Sequence, residues 1–207
     1  MKNLLMMLFV AVLAGCSLGP AVKKTPVTYD LGAPHINDAA SSKTINVSLL
    51  VHNVTAPFWL DTPAIVYRFK QDAGRQQSYA DSQWVASPAA LLTQRLRDRF
   101  TQASTGGVVG AADGVRADYT LRVELEDFAQ AFDQADASHG IIMARASLVN
   151  ATQRMLIAQK DFTFEHASAT PNAEGGVQAL AEASDDLIDA IVTWTAANIA
   201  TVSKQGK

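Results

Sequence analysis

An α+β domain is what this 207-residue chain predicts: a mainly antiparallel or mixed sheet with two principal helices packed on one face, in a single domain. Three observations carry the prediction. Residues 45–51, 65–69 and 119–126 alternate apolar and other side chains with period two, the mark of a half-buried strand. Two apolar runs, 140–149 and 156–164, are joined by the turn-like pentad Asn150-Ala151-Thr152-Gln153-Arg154 and read as a hairpin. Two stretches, 88–100 and 173–194, repeat apolar residues at helical spacing instead.

The chain opens differently. Met1-Lys2-Asn3 puts one positive charge ahead of an uncharged apolar run, residues 4–14, which closes on small residues before Cys16. A spanning helix needs about 20 apolar residues, so the run is too short. A soluble core helix would interleave polar positions, and residues 4–14 have none. The build is that of a secretory signal, residues 1–15. Leu13-Ala14-Gly15-Cys16 resembles the lipobox of bacterial lipoproteins. The resemblance implies cleavage before Cys16, a diacylglycerol on its thiol and acylation of the new amino terminus, with palmitate-type chains. One chain anchors marginally, at ~0.8 kcal/mol per buried CH₂, and two or more anchor stably. Ser17 stands where an aspartate would retain a lipoprotein in the inner membrane, so the resemblance implies the outer membrane, with the domain facing the periplasm.

Composition fits export. Cys16 is the only cysteine, so no internal disulfide can form and the fold must stand on its core. Losing residues 1–15 removes one of 17 basic residues and none of the 20 acidic ones, leaving a mildly acidic chain. That balance argues against a nucleic-acid surface. No other run approaches 18 apolar residues, so the expected anchor is lipid alone.

Residues 16–42 read as the lipidated cysteine and a flexible tether, punctuated by Gly19-Pro20, Pro26, Gly32, Pro34 and a small polar close. Val27-Thr28-Tyr29-Asp30-Leu31 could be a short extended piece docked on the domain. The domain itself is expected over 43–203. Ile45, Val47, Leu49 and Val51 open it, then Ile65, Tyr67 and Phe69. Ser87-Pro88 supplies an N-cap residue with proline at the first helical position, and Leu92, Leu96 and Phe100 follow at spacing four until Gly106-Gly107. Tyr119, Leu121, Val123 and Leu125 alternate cleanly. The last helix starts near Asn172 or Ala173, with Val177, Leu180, Ser184, Leu187, Ile191 and Trp194 on one stripe. Asp185 and Asp189 lie off it and read as a solvated acidic face.

One block carries more than a fold. "APFWLDTPAIVYRF", residues 56–69, is followed by "YADSQWVASPAALLTQRLRDRF", residues 79–100. It resembles the ABC-type transport auxiliary lipoprotein family, in which an Asp-Thr-Pro turn leads into a Tyr-Arg strand and then a Tyr…Ser…Trp strand-to-helix unit. The matching residues are Leu60, Asp61, Val66, Tyr67, Arg68, Tyr79, Ser82, Trp84, Pro88, Leu91 or Leu92, and Leu96. Gln83 and Ser87 depart from the family pattern, which has arginine and proline there. Asp61, Tyr67, Arg68, Tyr79, Trp84 and Pro88 are read as structural. Phe58, Trp59 and Leu60 sit in a loop without alternation, and an exposed apolar cluster marks a contact surface, so they are the candidate partner-binding residues. A loop plug closing one end of the core is the competing reading.

The resemblance implies an accessory role beside a transporter with an MCE-domain protein: docking or tethering that assembly at the outer membrane. A homo-oligomer is compatible with such a role. The alternative is a direct lipid-binding or handoff module, which requires an apolar pocket between sheet and helices. Enzymatic chemistry is not expected. His35, His52, His139 and His166 show no paired metal spacing, and Asp133, Asp136 and His139 crowd a hairpin loop without a calcium-loop pattern. No nucleophile elbow or phosphate loop is present, and no cofactor is expected.

Overall fold

The computed structural model describes residues 25–34, 44–72 and 74–205. The expected signal segment, Cys16 and most of the tether lie outside the described residues.

One long strand organises the fold. β6 (Tyr119–Gln134) turns through 135–136 into β7 (Ala137–Asn150), which pairs back along it antiparallel. β8 (Met155–Ala167) pairs antiparallel with β7, so the expected hairpin is real and longer at both ends. The other edge of β6 is shared by two short strands placed end to end. β2 (Leu49–Val51) lies parallel to residues 119–121, and β3 (Ala64–Phe69) lies parallel to residues 130–132. Thr55 continues the first line by bridging Glu124. Outside β2 runs β5 (Val108–Gly110), parallel to it. Outside β3 runs β4 (Gln77–Trp84), antiparallel, and outside that β1 (Val27–Tyr29), parallel to β4. The sheet is therefore mixed, with its long ladders antiparallel.

Two helices cover one face. α1 (Pro88–Ala103) begins with Ser87 as N-cap and Pro88 at the first position, although the Ser87 hydroxyl makes no cap hydrogen bond. It ends at Ala103, three residues before the expected glycines, because Ser104 is already extended. There Thr44 and Ile45 donate to the Ala103 carbonyl, and Ile45 bridges Ser104 rather than joining β2. α2 (Ala173–Gln205) is capped by Asn172, whose Oδ1 accepts from Gly175 N at 2.9 Å. No described helix is long and apolar enough to cross a membrane.

The core fills the space between. Leu121, Val123 and Leu125 of β6, Ile142, Ala144, Ala146 and Leu148 of β7, Phe162 of β8, the Leu92-Leu96-Phe100 stripe of α1 and the Leu180-Leu187-Ile191 stripe of α2 are all buried together. α2 approaches the sheet so closely that a Cβ on Gly140 would lie 2.8 Å from Leu180 N. The docked extended piece expected at 27–31 is β1, so the folded domain begins ahead of residue 43.

Candidate functional site

The loop between β2 and β3 holds the exposed aromatics. Its backbone is fixed at both ends. Thr55 exchanges hydrogen bonds with Val123 and Leu125, and Trp84 N donates to Pro63 O at 2.7 Å. Between them Leu60 N and Asp61 N both donate to Pro57 O, at 2.9 and 3.0 Å. Leu60 is 2% exposed and packs into the core, whereas Phe58 is 89% exposed and Trp59 36%. Leu60 is thus a correction to the expected contact set: it is the staple, and Phe58 and Trp59 are what the staple holds out. Leu60 plugs this end of the core, and Phe58 and Trp59 stand exposed beside it. A hollow of about 300 Å³ adjoins it, lined by Thr55, Ala56, Pro57, Glu124, Leu125 and Glu126. Asp61 stays exposed at the loop's exit.

The family-motif residues sit where β3, β4 and β6 meet. Arg68 makes a two-pronged pair with Asp127, one prong at 2.9 Å, on β6. Tyr67 lies 4.7 Å from Tyr79, ring to ring, and donates to Gln77 at 3.2 Å. Tyr79 donates to Gln130 Oε1 at 2.7 Å, and Gln130 Nε2 donates to Ser138 at 2.8 Å. Gln130 is fully buried, and a Cβ on Gly176 of α2 would come within 2.3 Å of its Oε1. Burial pushes the Tyr79 phenol up to about 12, with Tyr67 adding to the rise. Trp84 is buried edge-on against Phe128, 5.6 Å between centroids, and Pro88 is buried at the helix start. Sequence reasoning missed Gln130. Its signal was a polar side chain in an otherwise apolar stretch of a strand.

The acidic face of α2 is also corrected. Arg95 donates to Asp185 at 2.9 Å and Arg99 to Asp189 at 2.6 Å, with all four side chains mostly buried. Equal spacing of four on both helices lines the pairs up as an interhelical ladder. Arg95 also clamps the carbonyls of Leu31, at 3.0 Å, and Gly32, tying residues 30–34 across the helices as a strap. Under the strap lies a cavity of about 240 Å³ walled by Asp30, Arg95, Asp98, Arg99, Asp185 and Asp189 among others. A wider groove, about 970 Å³, follows the strap along α2 past Glu174, Gln178 and Glu182. Apolar side chains share both walls, Leu31, Leu91 and Ile188 in the cavity and Val85, Val177 and Ala181 in the groove. Two histidines meet carboxylates: His139 lies 3.0 Å from Asp133 across the β6–β7 hairpin, and His166 2.8 Å from Asp186. Among the described residues no group of three or more His, Asp or Glu is arranged to hold a metal ion.

Solved structures share this fold. A Xanthomonas campestris protein superposes with a TM-score of 0.73 at 20% identity, covering 86% of this chain and 99% of that one. An uncharacterized protein gives 0.61 at 18% identity, covering 82% and 97%. A Chlamydia trachomatis protein gives 0.52 at 8% identity, covering 75% and 99%. No curated protein matches the chain significantly. Residues 29–192 match the family model for the ABC-type transport auxiliary lipoprotein component, a span from β1 through most of α2. With the strand-to-helix block, the stapled loop and that match in hand, the chain belongs to the ABC-type transport auxiliary lipoprotein family.

Proposed function

We propose that this protein is a lipid-anchored accessory component of an ABC-type lipid transporter, docking the transporter's MCE-domain protein at the outer membrane from the periplasmic side. Residues 1–15 are removed, Cys16 carries the acyl chains, and residues 17–26 set the reach of the domain. The protein acts by binding, not by catalysis. Several copies can engage one assembly. Tethering raises the effective concentration of even a modest interface.

The observation that carries this reading is the contrast within one loop. Phe58 is 89% exposed on a backbone that Leu60 and the Pro57 carbonyl hold in place. A large aromatic on a backbone already held in place needs little backbone ordering on docking, which suits an anchor residue. The test is co-purification from detergent-solubilised membranes, with mass spectrometry for the MCE-domain subunit. Intact protein should bring that subunit down, and Phe58→Ala with Trp59→Ala should not. Equal capture by the variant removes the loop from the interaction. In parallel, Cys16→Ala protein should stay folded and leave the membrane on a high-salt wash; retention would remove the lipid anchor.

A further inference from the structure

Outside the β2–β3 loop, the exposed large apolar side chains of the described residues fall in two places. Val27 and Val85 lie at β1 and at the groove that follows the strap along α2, and Val85 is 61% exposed. Val115, Met155 and Leu156 lie at the other end of the sheet. There the loop before β6 and the β7–β8 turn wall a hollow of about 370 Å³. Exposed aliphatic side chains that cluster mark a contact surface.

The two surfaces carry opposite charge. Asp30, Glu174 and Glu182 line the groove, with no lysine or arginine among its walls. Arg116 and Arg154 line the hollow, with no acid among its walls. Neither arginine has a carboxylate partner among the described residues. The acids beside them in sequence are already engaged. Asp113 accepts from Gly110 N at 2.7 Å, and Asp118 accepts from Ser48 N and Oγ at 2.9 and 2.7 Å. Shape is matched as well. The groove is concave, and the β7–β8 turn, residues 151–154, is the narrow tip of a hairpin in which Asn150 pairs with Met155.

We infer that copies of this chain join head to tail, the β7–β8 tip of one copy seated in the groove between strap and α2 of the next. Arg116 and Arg154 then face the groove's carboxylates, and Met155 and Leu156 pack on Val85 and Val177. A second copy is favoured over an unrelated protein because both halves of the contact, each apolar and opposite in charge, are present on this one chain. Complementary charge fixes which surfaces meet. A single copy cannot satisfy itself. Gly140 lies against Leu180 at the groove, and Asn150 ends β7 ten residues further on, ~33 Å away. The contact is therefore heterologous. Each copy offers one groove and one tip, and the series closes into a ring or runs on as a filament, as the rotation between copies dictates. The inference depends neither on the anchor nor on what Phe58 meets.

The test uses residues 16–207 carrying Cys16→Ser, so that no acyl chain drives association. Sedimentation equilibrium should show the weight-average mass at least doubling between about 1 and 100 μM, and high salt should suppress the rise. A groove variant, Glu174→Lys with Gln178→Lys, and a tip variant, Arg116→Glu with Arg154→Asp, should each need roughly tenfold more protein to associate. Aspartate suits position 154, where φ is 54°. Met155→Ser with Leu156→Ser should weaken association too. All three should melt like the parent, since every altered side chain is exposed. Mixing the groove and tip variants in equal amounts should restore association, because the unaltered tip of the first fits the unaltered groove of the second. The inference falls if the parent stays monomeric over this range, or if the groove and tip variants associate as the parent does. It also falls if the mixture behaves as the sum of its parts, which would make the contact something other than groove to tip. None of these failures bears on capture of the MCE-domain subunit through Phe58, which the co-purification reads separately.

Discussion

Asp189→Ala tests how much the interhelical ladder contributes. The Arg99 and Asp189 side chains are 8% and 17% exposed and meet at 2.6 Å. With charge centres about 4 Å apart and an effective dielectric near 20, their attraction is about 4 kcal/mol. Arg99 Nη2 already lacks a partner, so losing Asp189 strands a guanidinium whose hydrogen bonding is incomplete. Removing one member of a buried pair costs about 3–5 kcal/mol, and Asp189's partial exposure puts this case near 3. For a domain of this size that lowers Tm by roughly 6–12 °C. Arg99→Met alone should cost less, because the stranded carboxylate can turn to water. The double variant Arg99→Met with Asp189→Leu should recover to within about 1 kcal/mol of the parent, since no charge is left to desolvate. Urea unfolding followed by circular dichroism, with the slope m unchanged, reads all three. A loss below about 1 kcal/mol for Asp189→Ala, or single losses that simply add in the double variant, would refute the coupling.

Leu60→Ala should lose about 2–4 kcal/mol of stability, as for a buried leucine, while Phe58→Ala stays within about 0.5 kcal/mol on the same denaturation curve. Gly140→Ala should destabilise by about 2–3 kcal/mol despite leaving more alanine in a strand, because its Cβ would press on the backbone of Ala179 and Leu180. Ultraviolet titration should show one phenol ionising near 12, absent in Tyr79→Phe. The fold favours the neutral phenol, so this contribution is complete below pH 10 and is lost as pH rises through about 12. Tyr79→Phe should also cost about 1–2 kcal/mol near neutral pH by leaving Gln130 Oε1 without its donor.

The long elements were legible because their patterns are long. Tyr119 to Leu125 alternate over several residues, and the α2 stripe runs from Val177 to Trp194, so neither depends on a partner for its signal. The parallel strands were not legible as such. β2 and β5 are three residues each, too short for a pattern to state a direction, and Ile45 shares β2's alternation while pairing with Ser104 instead. In the candidate site, Phe58 was legible as exposed because its loop breaks the alternation, but nothing local separates it from Leu60. That division is set by the neighbouring core. Asp185 and Asp189 misled for the same reason. A carboxylate at helical spacing of four looks solvated until another helix brings arginines with the same spacing against it.

The place where the chain enters the sheet has a mechanical consequence. With Cys16 acylated as proposed, any displacement of the domain would pull on residue 25 along β1. The β1–β4 hydrogen bonds run across that direction, so the load falls on all of them together in shear instead of opening them one by one. Behind them Arg95 grips the Leu31 and Gly32 carbonyls, and Arg95 is itself held by Asp185. Tension on such an anchor would pass from an edge strand to the junction of the two helices, held there by Arg95 and Asp185.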